Sequence, residues 1–323
     1  MKKFITRILL FCLLFSTAII LTFIVSSKIV NKKANFKISA DSKYLILGHS
    51  HAECALNDSL LTNFKNVAAS GELYFYIYTK FQEILIQNPQ IEVVFIEFTN
   101  TNIKKSKEKL ISSNNHVYWY YPSYSPFMNV KDQMFLLKHN PFGFIDAFCI
   151  ATRKNTHRVQ TSNYDFTNKI GGYLSLKRNK IDSLLAAHKK SPVEAEKEIS
   201  DVETNYLEKI LSYCEKHQKK VYLIRSPQHP SLPILANEKI FQKVLKKITS
   251  NRDIQFLDFN RFPLKNSEYA DLDHLNYKGA TLFSKWLNDL IFKKGLLQSK
   301  DKQKLIQDNM IPHIVASYRN SSK

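Results

Sequence analysis

Three polar residues at two distant points of the chain have the types and spacing to share one reaction. Ser50 lies in Tyr44-Leu-Ile-Leu-Gly-His-Ser50-His-Ala-Glu53, two residues after the glycine that ends an apolar run. Asp271 and His274 lie in Asp271-Leu-Asp-His274-Leu-Asn-Tyr-Lys-Gly279. A serine hydroxyl is a poor nucleophile until a base takes its proton, and the usual base is a histidine whose tautomer a carboxylate fixes. An Asp and a His three residues apart occupy one turn, so one short segment can supply both. The chemistry would be attack of Ser50 on an acyl carbon, with His274 as base and Asp271 as its orienter. Such attack also needs donors aimed at the developing negative oxygen. Gly71 offers an unobstructed backbone N–H and Asn100 a side-chain amide.

These residues need a scaffold that gathers them. Alternating strand and helix signals run from Lys43 to Phe292. The strands are expected at Lys43–Leu47, Lys65–Ala68, Glu92–Phe98, Lys220–Arg225 and Ile254–Phe259. Helices are expected from about Asp58 or Ser59, over Glu72–Gln87, Glu194–His217 and Asn237–Thr249, and over Tyr277–Phe292. Strand–helix alternation implies a parallel sheet, and five strands with right-handed crossovers fit a three-layer α/β/α, flavodoxin-like sandwich. In such sheets the functional crevice lies past the carboxyl ends of the strands, where Ser50 and the Asp271–His274 segment fall. Between the third and fourth strands, about 104–191 is an insertion of mixed helix and loop. It holds the aromatic cluster Tyr118–Tyr124, suited to stacking on sugar rings or to a buried or membrane-facing patch.

Ile8 to Ser27 carries no charge and follows Lys2, Lys3 and Arg7. As a helix this run spans about 30 Å, the thickness of a bilayer core. It reads as an uncleaved signal anchor, the alternative being a cleaved signal peptide. Basic residues flank both ends, so the positive-inside count nearly ties. The layout expected is a cytoplasmic N-terminus, transmembrane anchor and linker over 1–40, an α/β domain over 41–296 and a basic tail over 297–323. The chain would be a single-pass protein with its domain outside the cytoplasm.

The formal net charge is +19, much of it from the two ends of the chain. That balance suits a membrane surface or an anionic glycan. No zinc-finger spacing, arginine-rich run or aromatic RNA-binding motif accompanies it, so nucleic acid is not expected as a partner. Seven glycines without a phosphate-cradling pattern leave no nucleotide cofactor implied. The cysteines Cys12, Cys54, Cys149 and Cys214 have neither zinc spacing nor a disulfide framework. A rival chemistry is metal-dependent hydrolysis, with His49 and His51 at a strand end and Asp271, Asp273 and His274 completing a site. On the serine reading His49 and His51 only support the site, and Glu53 and Glu97 are structural, although Glu97 near a strand end could line the crevice.

Four blocks in order resemble the SGNH (GDSL-type) hydrolase superfamily. Its Gly-Asp-Ser block is matched by Gly48-His49-Ser50. The glycine after its second strand is matched by Gly71 in Asn66-Val-Ala-Ala-Ser-Gly71. Its Gly-x-Asn-Asp block is matched loosely by Phe98-Thr-Asn100-Thr, and its Asp-x-x-His block by Asp271-Leu-Asp-His274. The resemblance covers about Lys43–Phe292 and leaves the insertion unmatched. It departs at His49, where the family has aspartate, and at Phe98 and Thr101. It implies the SGNH fold, Ser50, His274 and Asp271 as catalytic residues, Gly71 and Asn100 as oxyanion donors, and no cofactor. The anchor-plus-domain layout resembles extracytoplasmic proteins that move or remove acyl groups on envelope polymers. The implied function is an esterase or O-acyltransferase acting on an acylated envelope glycan or similar carrier. A non-catalytic scaffold holding an envelope-assembly partner is the alternative.

Overall fold

The structure, a computed structural model, describes residues 1–188, 198–231 and 237–319. These form two compact units: Met1–Lys37, Thr79–Gln87 and Glu108–Lys169 in one, and Ile38–Tyr78, Asn88–Lys107 and Ile170–Lys323 in the other.

The second unit is built on five parallel strands: β1 (Tyr44–Leu47), β2 (Phe64–Asn66), β3 (Val93–Glu97), β4 (Lys220–Arg225) and β5 (Ile254–Asp258). Their order is β2-β1-β3-β4-β5, the flavodoxin-like order. This α/β architecture is the one that the SGNH resemblance implies. The strands read as apolar runs because both faces are covered. Val93 and Phe95 join Ile46, Ile224 and Leu257 in a core with Phe283, Trp286 and Leu287. The last three lie on helix α11 (Tyr277–Phe292). Val94 and Ile96, pointing the other way, are equally buried. Each such side chain contributes roughly 1.5–3 kcal/mol by leaving water.

The first helix of this unit, α2, spans Ser50–Ala55 and starts at the serine itself. The stretch near Asp58, where the sequence suggested a helix start, forms only a 3₁₀ turn over Asp58–Leu60. Six residues cannot sustain a helix alone, so α2 is held by tertiary bonds. One comes from Asn66 at the end of β2, whose amide donates to the carbonyls of Ala52 (3.1 Å) and Leu56 (2.7 Å).

Helix α3 (Tyr74–Gln87) follows β2 and starts two residues later than expected. Helix α9 covers Asp201–Lys216, with Ser200 capping it by accepting from the Glu203 N–H. The expected start of that helix, from Glu194, lies outside the described residues up to 197. Helix α4 (Lys105–Ile111) follows β3, α8 covers Ile181–His188, and α10 covers Glu238–Thr249. The tail continues as α12 (Lys302–Arg319).

The first unit is helical. Its α1 runs over Lys2–Lys33 and, among the described residues, is the one helix long and apolar enough to cross a membrane. It extends through part of the stretch expected to be linker. Just beyond it Phe36 is fully buried between the rings of Phe127 and Phe166. A single aromatic among polar neighbours gives no periodic signal, which is why the sequence reads as linker there. With α1 stand α5 (Asn114–Tyr124), α6 (Val130–His139) and α7 (Pro141–Thr161). Of the aromatic cluster on α5, Tyr121 and Tyr124 are buried and Trp119 is exposed.

In the second unit, residues 170–180 form a strap over the ends of several elements. Gly172 N donates to Ala68 O (3.0 Å), Leu174 N to Glu53 O (2.9 Å), and Lys180 N to Ala270 O (2.9 Å). Tyr277 N donates back to Leu176 O (2.9 Å). Gly171 makes this approach possible: it has φ +100°, and a Cβ there would stand 2.3 Å from the Ala68 carbonyl oxygen. Gly171→Ala should therefore cost about 1–3 kcal/mol. The checking measurement is thermal unfolding of the detergent-solubilised chain, where the midpoint should fall by roughly 2–4 °C per kcal/mol. An unchanged midpoint would mean that the strap is not clamped at this glycine.

Candidate active site

The site lies wholly within the second unit, at the carboxyl edge of the sheet. Chain direction turns at Gly48, directly after β1, and the nucleophile candidate follows at the first residue of α2. What holds this turn is a carboxylate from the neighbouring strand. Glu97, the last residue of β3, is fully buried, and its Oε2 accepts the N–H groups of His49 (3.1 Å) and Ala52 (2.8 Å). A Cβ on residue 48 would stand 2.5 Å from the Glu97 Cβ and 2.7 Å from Oε2. Glycine is needed there for space, so that the carboxylate can reach under the turn.

Ser50 Oγ lies 2.8 Å from His274 Nε2, and His274 Nδ1 lies 2.7 Å from Asp271 Oδ1. With Nδ1–H donated to the carboxylate, Nε2 is left to accept from the serine hydroxyl. Asp271 Oδ1 also accepts the backbone N–H groups of Asp273 and His274, each at 3.0 Å. Its other oxygen accepts from Arg178 Nη2 at 2.7 Å. Arg178, carried by the strap, was not singled out in the sequence. It lies in an unpatterned stretch, Lys177-Arg178-Asn179, in which nothing marks one cation over another.

Gly71 has φ +71°, the left-handed conformation that favours glycine, in the turn between β2 and α3. That turn is tied to the surroundings of Ser50. Ala69 N donates to Gly48 O (3.2 Å), and the Ser70 hydroxyl bonds the Glu53 carboxylate on α2. Asn100 is placed differently from the expectation of an oxyanion donor. Its amide donates to Asn237 Oδ1 (3.2 Å) and Glu238 Oε2 (3.0 Å). Glu238 also takes Arg225 Nη1 at 2.9 Å, so Asn100 belongs to the polar cluster at the start of α10. Two residues on, Asn102 is fully buried and donates to the His49 imidazole. The loosely matched third block gave no means of choosing between the two asparagines.

The three histidines of the site differ in how readily they take a proton, because their partners differ. Burial pushes His49 down to about 4, with Glu97 only partly opposing. Burial also lowers His51, against the pull of Glu97 and Asp273. For His274 burial again disfavours the charged form, but the Asp271 hydrogen bond and charge outweigh it, so its pKa is raised. Asp271 is held well below the usual carboxylate range. Burial works against this, and the hydrogen bonds from His274 and Arg178 overcome it. Glu97 is also lowered: burial opposes, while His49, His51, the Ala52 N–H and Asn102 favour the charged form.

Solved structures similar to this chain include two from Bacteroides species. One is a GDSL-like lipase from Bacteroides thetaiotaomicron, 11% identical, with a TM-score of 0.37, covering 82% of this chain and 94% of that one. The other, from Bacteroides fragilis and assigned as an acylhydrolase, is 10% identical, with a TM-score of 0.37, covering 82% and 93%. A protein-family model matches residues 155–296, less than half of the chain. Among curated proteins none matches.

His51 Nδ1 lies 3.4 Å from Glu97 Oε1, and its ring centroid lies 5.3 Å from that of His274. Even so, among the described residues no three His, Cys, Asp or Glu side chains converge as a metal-ligand set. The charge pattern is directly measurable. Imidazole resonances followed by NMR against pH should show His274 titrating above the ordinary histidine value of 6.5 and His51 below it. His49 should stay neutral down to about 4. An order with His49 titrating highest would overturn this assignment of partners.

Proposed function

We propose that this protein is a membrane-anchored serine esterase or O-acyltransferase of SGNH type, acting on an acyl ester of a cell-envelope glycan or similar carrier. The observation that carries this reading is the unbroken hydrogen-bonded line from Ser50 Oγ through His274 to Asp271. His274 Nε2 takes the serine proton as Oγ attacks the acyl carbon. The imidazolium that forms is stabilised by Asp271, which Arg178 holds in place from its far side. Collapse of the tetrahedral intermediate breaks the bond to the carrier oxygen, which takes the proton from His274 and leaves as the free hydroxyl, and an acyl-serine remains. Water or a second hydroxyl, deprotonated by His274, then attacks the acyl-serine and frees Ser50. Of the two expected oxyanion donors, Asn100 has its amide engaged at α10, and Gly71 lies in the turn that is tied to Gly48 and Glu53. The anchor part of the reading is supported by α1.

Ser50→Ala should abolish labelling by a fluorophosphonate probe and hydrolysis of model acyl esters, and His274→Ala should do nearly the same. The double variant should be no slower than Ser50→Ala alone, since the two act as a unit. The base must be neutral, so activity should rise with pH as His274 loses its proton, at a pKa raised above 6.5. Asp271→Asn removes the charge that raises it, so the acid limb should move to lower pH while turnover falls. Asn100→Ala should cost less than the roughly 10²–10³ in rate seen when a true oxyanion donor is lost. Full activity in Ser50→Ala would end the proposal, and an unlabelled, inactive wild type would favour the scaffold alternative.

The metal alternative rests on His49 and His51. On the serine reading, dialysis against a chelator leaves ester hydrolysis unchanged. Activity lost to chelator and restored by zinc would reverse the ranking.

A further inference from the structure

The helical unit contains a polar concavity of its own. A cleft of about 680 Å³ opens on it, with Arg153, Lys154, His157, Arg158, Lys169 and Asp165 in its walls. The basic side chains are not matched by acids. Among the described residues no carboxylate lies within ion-pair distance of Arg153, Lys154, Arg158 or Lys169. Asp165 turns its carboxylate to the Thr167 N–H at 2.9 Å. Arg158 rests over the Phe166 ring, 4.3 Å from its centroid. Lys154 shows the crowding: burial, then Arg158, Lys169 and Arg153, hold its pKa below the ordinary lysine value. A bound anion would relieve that repulsion.

The depth of the cleft along α1 points to which anion. Helices α1 and α7 lie side by side and run in the same direction. The Phe23 and Phe148 rings are 4.4 Å apart. Further along, Asn155 Nδ2 donates to Ser27 Oγ (3.2 Å), and beyond both helices Asn35 N donates to Tyr164 O (2.8 Å). The cleft residues therefore stand level with Ser27 to Asn35, where the uncharged run of α1 ends and Lys28, Lys32 and Lys33 begin. In a bilayer this is the level at which hydrocarbon gives way to headgroups. Toward the other end of α7, Phe142 and Ile145 are 83% and 52% exposed. Trp119, next to the Tyr118 that bonds Asp146 at the same level, is 76% exposed. An aromatic and aliphatic surface below a basic cleft is the arrangement of a protein seated in one leaflet.

We propose that this cleft binds the phosphate of an anionic glycerophospholipid headgroup in the leaflet through which α1 passes. Arg and Lys recognise phosphate by charge-assisted hydrogen bonds, and basic pockets at this depth gain from the lipid's fixed position. The proposal rests on α1 spanning the bilayer and is independent of the chemistry at Ser50.

The test uses the full chain in nanodiscs of phosphatidylcholine doped with phosphatidylglycerol. Native mass spectrometry reads which lipid stays bound. Wild type should retain phosphatidylglycerol preferentially, and the triple variant Arg153→Gln, Lys154→Gln, Lys169→Gln should lose roughly tenfold of that preference. A matched triple on exposed lysines of α10 (Lys239→Gln, Lys243→Gln, Lys247→Gln) removes the same charge and should leave the preference intact. The single Arg153→Gln, at an exposed side chain, should lose part of it with an unchanged unfolding midpoint. Equal effects of the two triples would overturn the proposal, because the preference would then be general electrostatics. Displacement of the lipid by millimolar inorganic phosphate or glycerol 3-phosphate would overturn it in favour of a free-anion site. Failure of wild type to enter pure phosphatidylcholine nanodiscs would remove the span reading, and the proposal with it.

Discussion

The second unit depends on one buried carboxylate. Glu97 reaches from the end of β3 beneath Gly48 and takes the two N–H groups that open α2. Leaving buried donors unsatisfied costs about 1–3 kcal/mol each, more than a six-residue helix can supply from its own bonds. The helix start, and hence the direction of Ser50, is set by a neighbouring strand and not by local sequence. The remaining oxygen, Oε1, has no hydrogen bond among the described residues and lies 3.4 Å from His51 Nδ1 and 3.7 Å from His49 Nδ1. The two imidazoles thus surround the carboxylate, and desolvation keeps their own charged forms suppressed.

This arrangement separates the site's histidines by task. All three share a residue type and a largely buried setting, so desolvation acts on each in the same sense. Only His274 has a carboxylate bonded directly to its ring nitrogen, and that carboxylate is itself fixed by Arg178 and two backbone N–H groups. Pairs of groups whose environments drive their pKa values apart are how one fold assigns acid and base roles. Here the direct bond outweighs burial for His274, while the more distant Glu97 does not do so for His49 or His51.

Much of the fold could be read from the sequence, because parallel strands covered on both faces leave continuous apolar runs. All five strands stand within a few residues of their expected positions, and α11 spans the expected Tyr277–Phe292. That Ser50, Asp271 and His274 would come together was legible, because glycine after an apolar run and Asp-x-x-His are local patterns. What was not legible came from across the chain. Helix α2 takes its start from Glu97 and its bracing from Asn66, and neither bond leaves a mark near Ser50. Arg178 reaches Asp271 by way of a strap without periodicity. Asn100 and Asn102 are chemically alike in sequence, and only the turn after β3 decides which one faces His49. Phe36 looked like linker because the rings that enclose it, Phe127 and Phe166, belong to distant segments.

The separation of 224 residues between Ser50 and His274 has a consequence for the life of the chain. A ribosome makes the serine, together with the strand and glycine that present it, 224 residues before the histidine. Contacts so far apart in sequence form slowly, and the strap bearing Arg178, which lies over Ala68 and Glu53, falls between the two segments in chain order. On the chemistry proposed, a nascent or truncated chain holds an unassisted hydroxyl and is inert. The proposed base therefore meets the serine only after the segment carrying Asp271 and His274 has been made and has folded against it.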